Sequence, residues 1–573
     1  MTIKKISPIY FLTFLCVLIL SCSKDSDLLT DYVITDDVNT LELRKYVVDD
    51  MYFTDSYDSI ILDVLSNDNF YNGGNIRLVD VSQPSNGSVT INEDNTLTYT
   101  PYIETVEEEQ STTNEEETNT NSNDNTEEDT FVYVAEVIEE DNTVTKEEAT
   151  VTISSSTIAM GELKAFPGAE GFGKNATGGR GGIVVEVTNL NDSGSGSLRN
   201  ALKRTERRTI IFKVSGTINC KSYLDIPPNS GNVTIAGQTA PGEGIIVKGA
   251  ELRISASNVI IRHIAIRPGS NVSGSNINGI RLTPYTQSIE NLIFDHVSVT
   301  WTMDKNFIIG SIADNIFVNN VTVQNSIIAE NIGTGKGFLI FKNSKNISVY
   351  KNLFAHLTER NIRSSTCSSN FEMINNVVYG FKYGTQPTYE NEFDIIGNVY
   401  KTSPATSTSF ETIRLEASTN NCPNGNISRT KGFISDNTLN GGSVSISSSL
   451  NSYLENSRRF NSGINPISSN EVESTILSNV GNSLRNDPVD IRIIDEVSTK
   501  SGSMKTATWA ESNYPDISNK TAYKDSDKDG ISDEFESQYS NLNPKDGSDG
   551  SKDDSGNGYT NLEEFLHYLT IKK

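Results

Sequence analysis

Asn232-Val233-Thr234-Ile235, Asn258-Val259-Ile260-Ile261, Asn291-Leu292-Ile293-Phe294, Asn315-Ile316-Phe317-Val318, Asn346-Ile347-Ser348-Val349 and Asn370-Phe371-Glu372-Met373 each set one asparagine before a short β-prone run. Their starts are 26, 33, 24, 31 and 24 residues apart. A second run follows most of them: Ala265-Ile266, Val297-Ser298-Val299, Val321-Thr322-Val323, Leu353-Phe354 and Val377-Val378-Tyr379. A period of that length with several short strands suits a solenoid, in which each coil buries its apolar edge only against its neighbours. The asparagine is expected at a bend, where it tolerates left-handed backbone and hydrogen-bonds its counterpart one coil away. No repeat carries a helix or a fixed leucine spacing, so a leucine-rich solenoid is excluded. The reading is an all-β chain whose residues 161–505 form a parallel β-helix, right-handed as parallel crossovers almost always are.

The chain has 573 residues, which at roughly 100–200 residues per domain implies several domains. With 41 Gly, 22 Tyr, 22 Phe and only 4 His it reads as turn-rich β structure. Its net charge of -27 is unevenly spread. Residues 23–160 hold 5 basic and 32 acidic side chains, whereas residues 161–519 hold 33 basic and 30 acidic. The middle can therefore take an anionic substrate locally. No basic stripe with interleaved aromatics is present, which argues against nucleic acid.

Lys4 and Lys5, the apolar run Tyr10 to Leu20 and Ile19-Leu20-Ser21-Cys22 form an export signal too short to span a bilayer. The end of that signal resembles a lipobox. The resemblance implies residues 1–21 as the signal peptide, Cys22 as the lipidated residue, a tether over 22–30 and an outer-membrane lipoprotein on the cell surface; Ser23-Lys24-Asp25-Ser26-Asp27 is similar to a surface-export signal. An ordinary secretory signal is the other reading. Cys220, Cys367 and Cys422 are too few and too scattered for a disulfide framework or a zinc site and read as core thiols. Residues 31–155 show short alternating strands separated by Asn, Asp and Gly, and resemble an immunoglobulin- or cadherin-like β-sandwich. Within them, residues 104–129 hold 11 acidic and no basic side chains, a composition that reads as a solvated insertion.

Further strings are specific. Ala165-Phe166-Pro167-Gly168-Ala169-Glu170-Gly171-Phe172-Gly173, Thr177-Gly178-Gly179-Arg180-Gly181-Gly182, Asp192-Ser193-Gly194-Ser195-Gly196-Ser197-Leu198-Arg199 and Thr234-Ile235-Ala236-Gly237-Gln238-Thr239-Ala240-Pro241-Gly242 resemble polysaccharide lyase family 1, the pectate lyases. The glycines are expected where coils turn, with an amphipathic helix near Ser197 to Lys203 capping the open end. The resemblance implies β-elimination of a 1,4-linked polygalacturonate, a pectic polysaccharide, with calcium at the site. It implies Arg360 as the base, Lys336 and Arg363 as substrate-binding residues, and Asp304 with Asn278 as the calcium position. Four departures accompany it: Ile362 stands where the family usually has proline, Ser365 where a third basic residue is expected, and Asn278 and the neighbourhood of Thr300 where carboxylates are expected. Since Ca²⁺ affinity follows ligand charge and number, such a site is weak. Arg281 is the alternative source of positive charge, without metal. A β-helix that binds acidic glycans without cleaving them is the alternative function. Paired aspartates for hydrolysis are missing, Asp304 and Asp314 being the nearest candidates. His263, His296 and His356 read as stacked or core residues.

Residues 521–570 carry a second pattern. Asp525, Asp527, Asp529, Gly530, Asp533 and Glu536 fill positions 1, 3, 5, 6, 9 and 12 of an EF-hand-type loop, and Asp553, Ser555, Asn557, Gly558, Asn561 and Glu564 repeat it 28 residues on. They are expected to hold structural Ca²⁺ in a tail similar to dockerin or thrombospondin type 3 repeats. The whole chain is expected to be a monomer.

Overall fold

A computed structural model of the protein describes residues 32–33, 42–43, 47, 50–53, 59–62, 64–65, 75–102, 128–138 and 144–154 of an N-terminal unit, and residues 163–270, 277–365, 368, 370–405, 411–416, 430–485 and 487–571 of a second unit. The chain divides into these compact units between residues 159 and 160, with residues 521–570 inside the second rather than apart from it. The signal, Cys22, Cys367, Cys422 and most of the acidic insertion lie outside the described residues; Glu128 and Asp129, assigned to that insertion from sequence, open the strand Glu128–Ile138 instead.

In the first unit, a four-stranded sheet and a three-stranded sheet share one apolar cluster. Leu62, Val89, Leu97, Phe131, Tyr133 and Val151 are buried in it. Asp129 is buried too, and accepts from the amides of Ser85 and Asn86 and from the Tyr99 hydroxyl. That is how a carboxylate survives desolvation.

The second unit is a parallel β-solenoid with two ten-stranded sheets and one six-stranded sheet. Along the first sheet Ile235, Ile261, Phe294, Val323, Val349, Met373, Ile395 and Ile434 stand in register one above another. Coils repeat at about 4.8 Å in such a ladder, so each apolar side chain packs on like neighbours above and below. Phe294 is fully buried and meets Phe307 edge to face at 5.0 Å; truncating such a ring costs about 3–5 kcal/mol.

The asparagine ladder forms, with one correction. Asn232, Asn258, Asn291, Asn320 and Asn346 have φ of 49–60°, and the amides of Asn258, Asn320, Asn346 and Asn370 donate to the asparagine one coil earlier at 2.9–3.2 Å. The rung after Asn291 is thus Asn320, not Asn315, and Val321-Thr322-Val323 lies in the first sheet within Val318–Gln324. The side-chain bond to Asn291 fixes that register, and Phe317 is left exposed. A second ladder, Asn352, Asn376, Asn398 and Asn437, runs through the interior, each amide nitrogen donating to the next asparagine's Oδ1.

Coils end near Gly442–Ser443, short of residue 505. Beyond them the chain returns along the outside as Ser469–Leu477, Pro488–Ser498 and Ala507–Ser512, whose Val472, Ile476, Val489, Ile493 and Val497 bury the outer face of the second sheet. The amphipathic helix forms as Leu198–Leu202, with the Ser197 hydroxyl capping it. Fully buried Arg208 donates to its last carbonyls, Ala201 and Leu202, each at 2.8 Å.

The glycines of residues 165–182 are not coil turns, whereas Gly237 and Gly242 lie in the turn between Val233–Ala236 and Ile245–Lys248. Residues 165–182 form a strap over the first sheet, its amides at Phe172, Gly173 and Gly179 donating to Ser348, Thr322 and Thr234. A Cβ at Gly173 would lie 2.2 Å from the Leu292 carbonyl oxygen, so only glycine permits the approach.

Candidate active site

With the first sheet strapped and the second covered by helices, the third is left to meet solvent. Its strands are Leu224–Ile226, Leu252–Ile254, Ile280–Leu282, Lys305–Ile309, Lys336–Ile340 and Arg363–Ser364. Arg253 pairs with Arg281, and Arg281, Ile308, Leu339 and Arg363 follow in one column. Lys305 pairs with Lys336, and Lys336 bridges to Glu359. Phe307 stacked on Phe338 at 4.9 Å holds those two lysine-bearing strands in step. The fold thus gathers Arg281, Lys336, Arg360 and Arg363 on adjacent coils and adds Lys305.

Arg360 is the centre of this set. Its backbone is left-handed, with φ of 61°, and its N–H donates to Gln386 Oε1 at 2.9 Å. Its buried Nε has no hydrogen-bond partner, the nearest carboxylate being Glu359 at 3.9 Å. Burial pushes the Arg360 guanidinium below the usual arginine range; Glu359 opposes this and Arg363 adds to it. Ile362, where the family has proline, is buried with φ of 76°, a value the pyrrolidine ring forbids. The turn that presents Arg360 and Arg363 is therefore one that proline could not make. Burial, with Arg360 and Lys336 close by, also lowers the Lys305 ammonium, against the pull of Asp304.

The groove residues assigned to calcium, Asp304 and Asn278, are engaged by other partners. The Asp304 carboxylate is ion-paired with Lys305. Asn278 donates from its backbone and its side chain to Glu251 Oε2, each at 3.0 Å. Glu251 Oε1 takes Arg253 Nε and lies 4.0 Å from Arg281. Among the described residues no cluster of three acidic or histidine ligand atoms includes Asp304. With Lys305, Lys336 and Arg360 beside Asp304, these donors do not fit a resident Ca²⁺. Glu251 and Lys305 were missed from the sequence. The signal was present: Glu251 lies 27 residues before Asn278, one coil away.

Arg281 donates to Thr283 and, at 3.2 Å, to the hydroxyl of exposed Tyr285. Exposed Tyr223 lies under Arg253 at 3.7 Å. Three histidines lie buried with partners of their own: His263 stacks on His296 at 4.7 Å, His296 Nδ1 lies 2.9 Å from Asp295, which also takes Arg262, and His356 meets Glu496 at 2.8 Å. Cys220 is a free buried thiol, pushed up to about 12 by burial.

In the tail, Asp525, Asp527 and Asp529 converge, and so do Asp527, Glu536 and Asp549. Asp533 does not join them; Ser526 and Lys524 occupy its carboxylate. In the second loop Ser555 and Asn557 donate to Glu564, and backbone N–H groups occupy both Asp553 oxygens. Asn561 turns away to Asp554 and the Asp549 carbonyl. The tail packs Ile531, Phe535, Leu562, Phe565 and Leu566 against Ile211 and Ala236 of the first sheet.

No family model matches the chain. It is 35% identical over 414 residues to a probable pectate lyase C of Emericella nidulans, which covers 71% of this chain and 93% of that protein. A protein of the same name from Aspergillus fumigatus is 34% identical over 439 residues, 73% and 97% of the two chains. Among solved structures, a Bacillus subtilis pectate lyase is 16% identical with a TM-score of 0.39, covering 57% of this chain and 99% of its own. A relationship at this identity over nearly the whole of those curated relatives, on a parallel solenoid with one open cationic face, means that the chain belongs to the pectate lyase family.

Proposed function

We propose that the open face of the third sheet cleaves a 1,4-linked polygalacturonate chain by β-elimination. The observation that carries this is the relationship to proteins named pectate lyase over more than nine-tenths of their length. The cationic face supports it. A base removes the C5 proton, the electron pair forms the C4–C5 double bond, the bond from C4 to the glycosidic oxygen breaks, and the leaving oxygen takes a proton from water. Negative charge grows on the C6 carboxylate before that bond breaks, so fixed positive charge there lowers the barrier.

Arg360 is assigned as the base: its Nε is unpartnered and its pKa is held down by burial and by Arg363. Lys305 and Lys336, opposite each other on adjacent coils, are assigned to the reacting carboxylate, and Arg363 and Arg281 to its neighbours along the chain. No step is routed through a groove metal, since the donors do not fit one. The test is ultraviolet absorbance of the unsaturated product from polygalacturonate and from methylated pectin. Growth that is lost in Arg360→Ala supports the assignment. Binding without growth on either polymer would overturn it in favour of a glycan-binding surface protein, the reading that Asn278, Ile362 and Ser365 favour.

The rest of the chain is assigned around that groove. Cys22 carries a lipid anchor in the outer membrane, residues 31–155 are an immunoglobulin- or cadherin-like spacer holding the enzyme, a monomer, off the membrane, and the coils wind right-handed.

A further inference from the structure

We infer that the tail holds a divalent cation of the calcium class between its two loops, ligated by Asp527, Asp529, Glu536 and Asp549, and that this ion clasps the tail to the first coils. The ligand set differs from the one the loop spacing gives: Asp549 enters from the segment that links the two loops, and Asp525 and Asp533 are left out.

Glu536 is fully buried, and neither of its carboxylate oxygens has a hydrogen-bond partner. Asp549 and Asp529 are 1% and 5% exposed, and each leaves one oxygen, Oδ1 and Oδ2, without a partner. Asp527 leaves both. Among the described residues that makes six buried, unbonded carboxylate oxygens in one place, and Ca²⁺ takes 6–8 oxygen ligands. A buried polar group without a partner is costly and a buried unpaired charge far more so, so four such carboxylates side by side call for a cation. The other oxygens of Asp529 and Asp549 are fixed by the amides of Ile531 and Asn543, which aims the free ones inward. Room is made by Gly550, where a Cβ would lie 2.2 Å from Asp529 Oδ2. All-oxygen, carboxylate-rich donors select a hard divalent ion, and Asp and Glu at irregular spacings favour Ca²⁺ over the stricter octahedron of Mg²⁺.

The clasp follows from what these loops touch. Asp525, engaged by Lys213 at 3.1 Å, ties the first loop to the coil after Arg208–Phe212. Ile531 and Phe535, both between Asp529 and Glu536 in the chain, pack on Ile211 and Ala236. At the end of the second loop, Glu563 pairs with Arg180 of the strap at 2.9 Å.

The test uses the full chain, stripped with chelator and titrated with Ca²⁺ by calorimetry, with tail cleavage by trypsin as a second readout. Lys524, Lys528, Lys545 and Lys552 are the reporters. Expected are a Ca²⁺ site lost at least tenfold in affinity in Glu536→Gln and in Asp549→Asn, unchanged in Asp533→Asn and Glu564→Gln, and tail cleavage that speeds up when the wild-type chain loses Ca²⁺. Wild-type affinity in Asp549→Asn, or loss in Asp533→Asn, would overturn the ligand set. Should a variant fail to fold, the wild-type chain decides alone: no Ca²⁺ uptake, or equal cleavage with and without the ion, sinks the clasp.

Discussion

Individual side chains in the groove make the sharpest predictions. Arg360→Ala should lower kcat by at least about 10²-fold, the ordinary contribution of a general base, with substrate affinity little changed. Lys336→Ala and Lys305→Ala should act on both KM and kcat, because their charges meet the substrate carboxylate before and during reaction. Only neutral Arg360 accepts a proton, and burial holds its pKa below that of a free arginine. The rate should therefore rise with pH through the alkaline range, read as kcat against pH, until the lysines begin to lose their charge. Ile362→Pro asks a ring fixed near φ of -65° to sit at 76°. It should cost about 1–3 kcal/mol by denaturant titration and displace both arginines, and with them activity. Arg360, Lys336 and Arg363 were singled out in the sequence because their strings resemble a family pattern. Lys305 and Glu251 were not, since their importance comes from pairing across coils, which a single string does not display. Asp304 was legible as an acid; its pairing with Lys305, its own neighbour in the chain, was not.

Between neighbouring elements, ladders and covers set the stability. Asn376 Oδ1 accepts from the amide and side chain of Asn352, while its own nitrogen donates to the Val349 and Ile374 carbonyls and to Asn398. Asn376→Ala should orphan several buried groups at about 1–3 kcal/mol each, and a thermal scan should show the coils losing cooperativity. Pro488–Ser498 is held to the solenoid partly by Glu496. Burial alone would raise its pKa, but hydrogen bonds from His356 and Lys505 and the charge of Arg492 outweigh that and bring it down to about 2. A carboxyl depressed on folding stabilises above its unfolded pKa of about 4.3 and loses that contribution as pH falls toward 2. Acid unfolding should thus begin earlier in Glu496→Gln, with the difference from wild type vanishing near pH 2. The coil period was readable because apolar runs recur. The Asn320 rung was not, because Asn315 fronts an equally β-prone run and only the side-chain bond to Asn291 separates them.

For the molecule as a whole, three covers meet on one solenoid: the strap and tail on the first sheet and the helices on the second. Lipidation is a separate prediction: metabolic labelling with a fatty acid should mark the wild-type chain and not Cys22→Ala, and a labelled mutant would remove the anchor. The compact units divide near residue 160, where the sequence also passes from a strongly acidic stretch to a near-neutral one. The helices over the second sheet were not anticipated, since residues 469–512 have no repeat to align and declare themselves only by what they cover. The strap has an implication in time. Phe172 waits for Ser348, 176 residues later, and Lys164 for Tyr559, 395 residues later. At about 5–20 residues per second, a chain emerging from its N-terminus leaves the first of these partners unmade for roughly 9–35 s and the second for roughly 20–80 s. What appears early therefore docks last, and a sequence rich in glycine, with few apolar side chains to stick elsewhere, is suited to that wait.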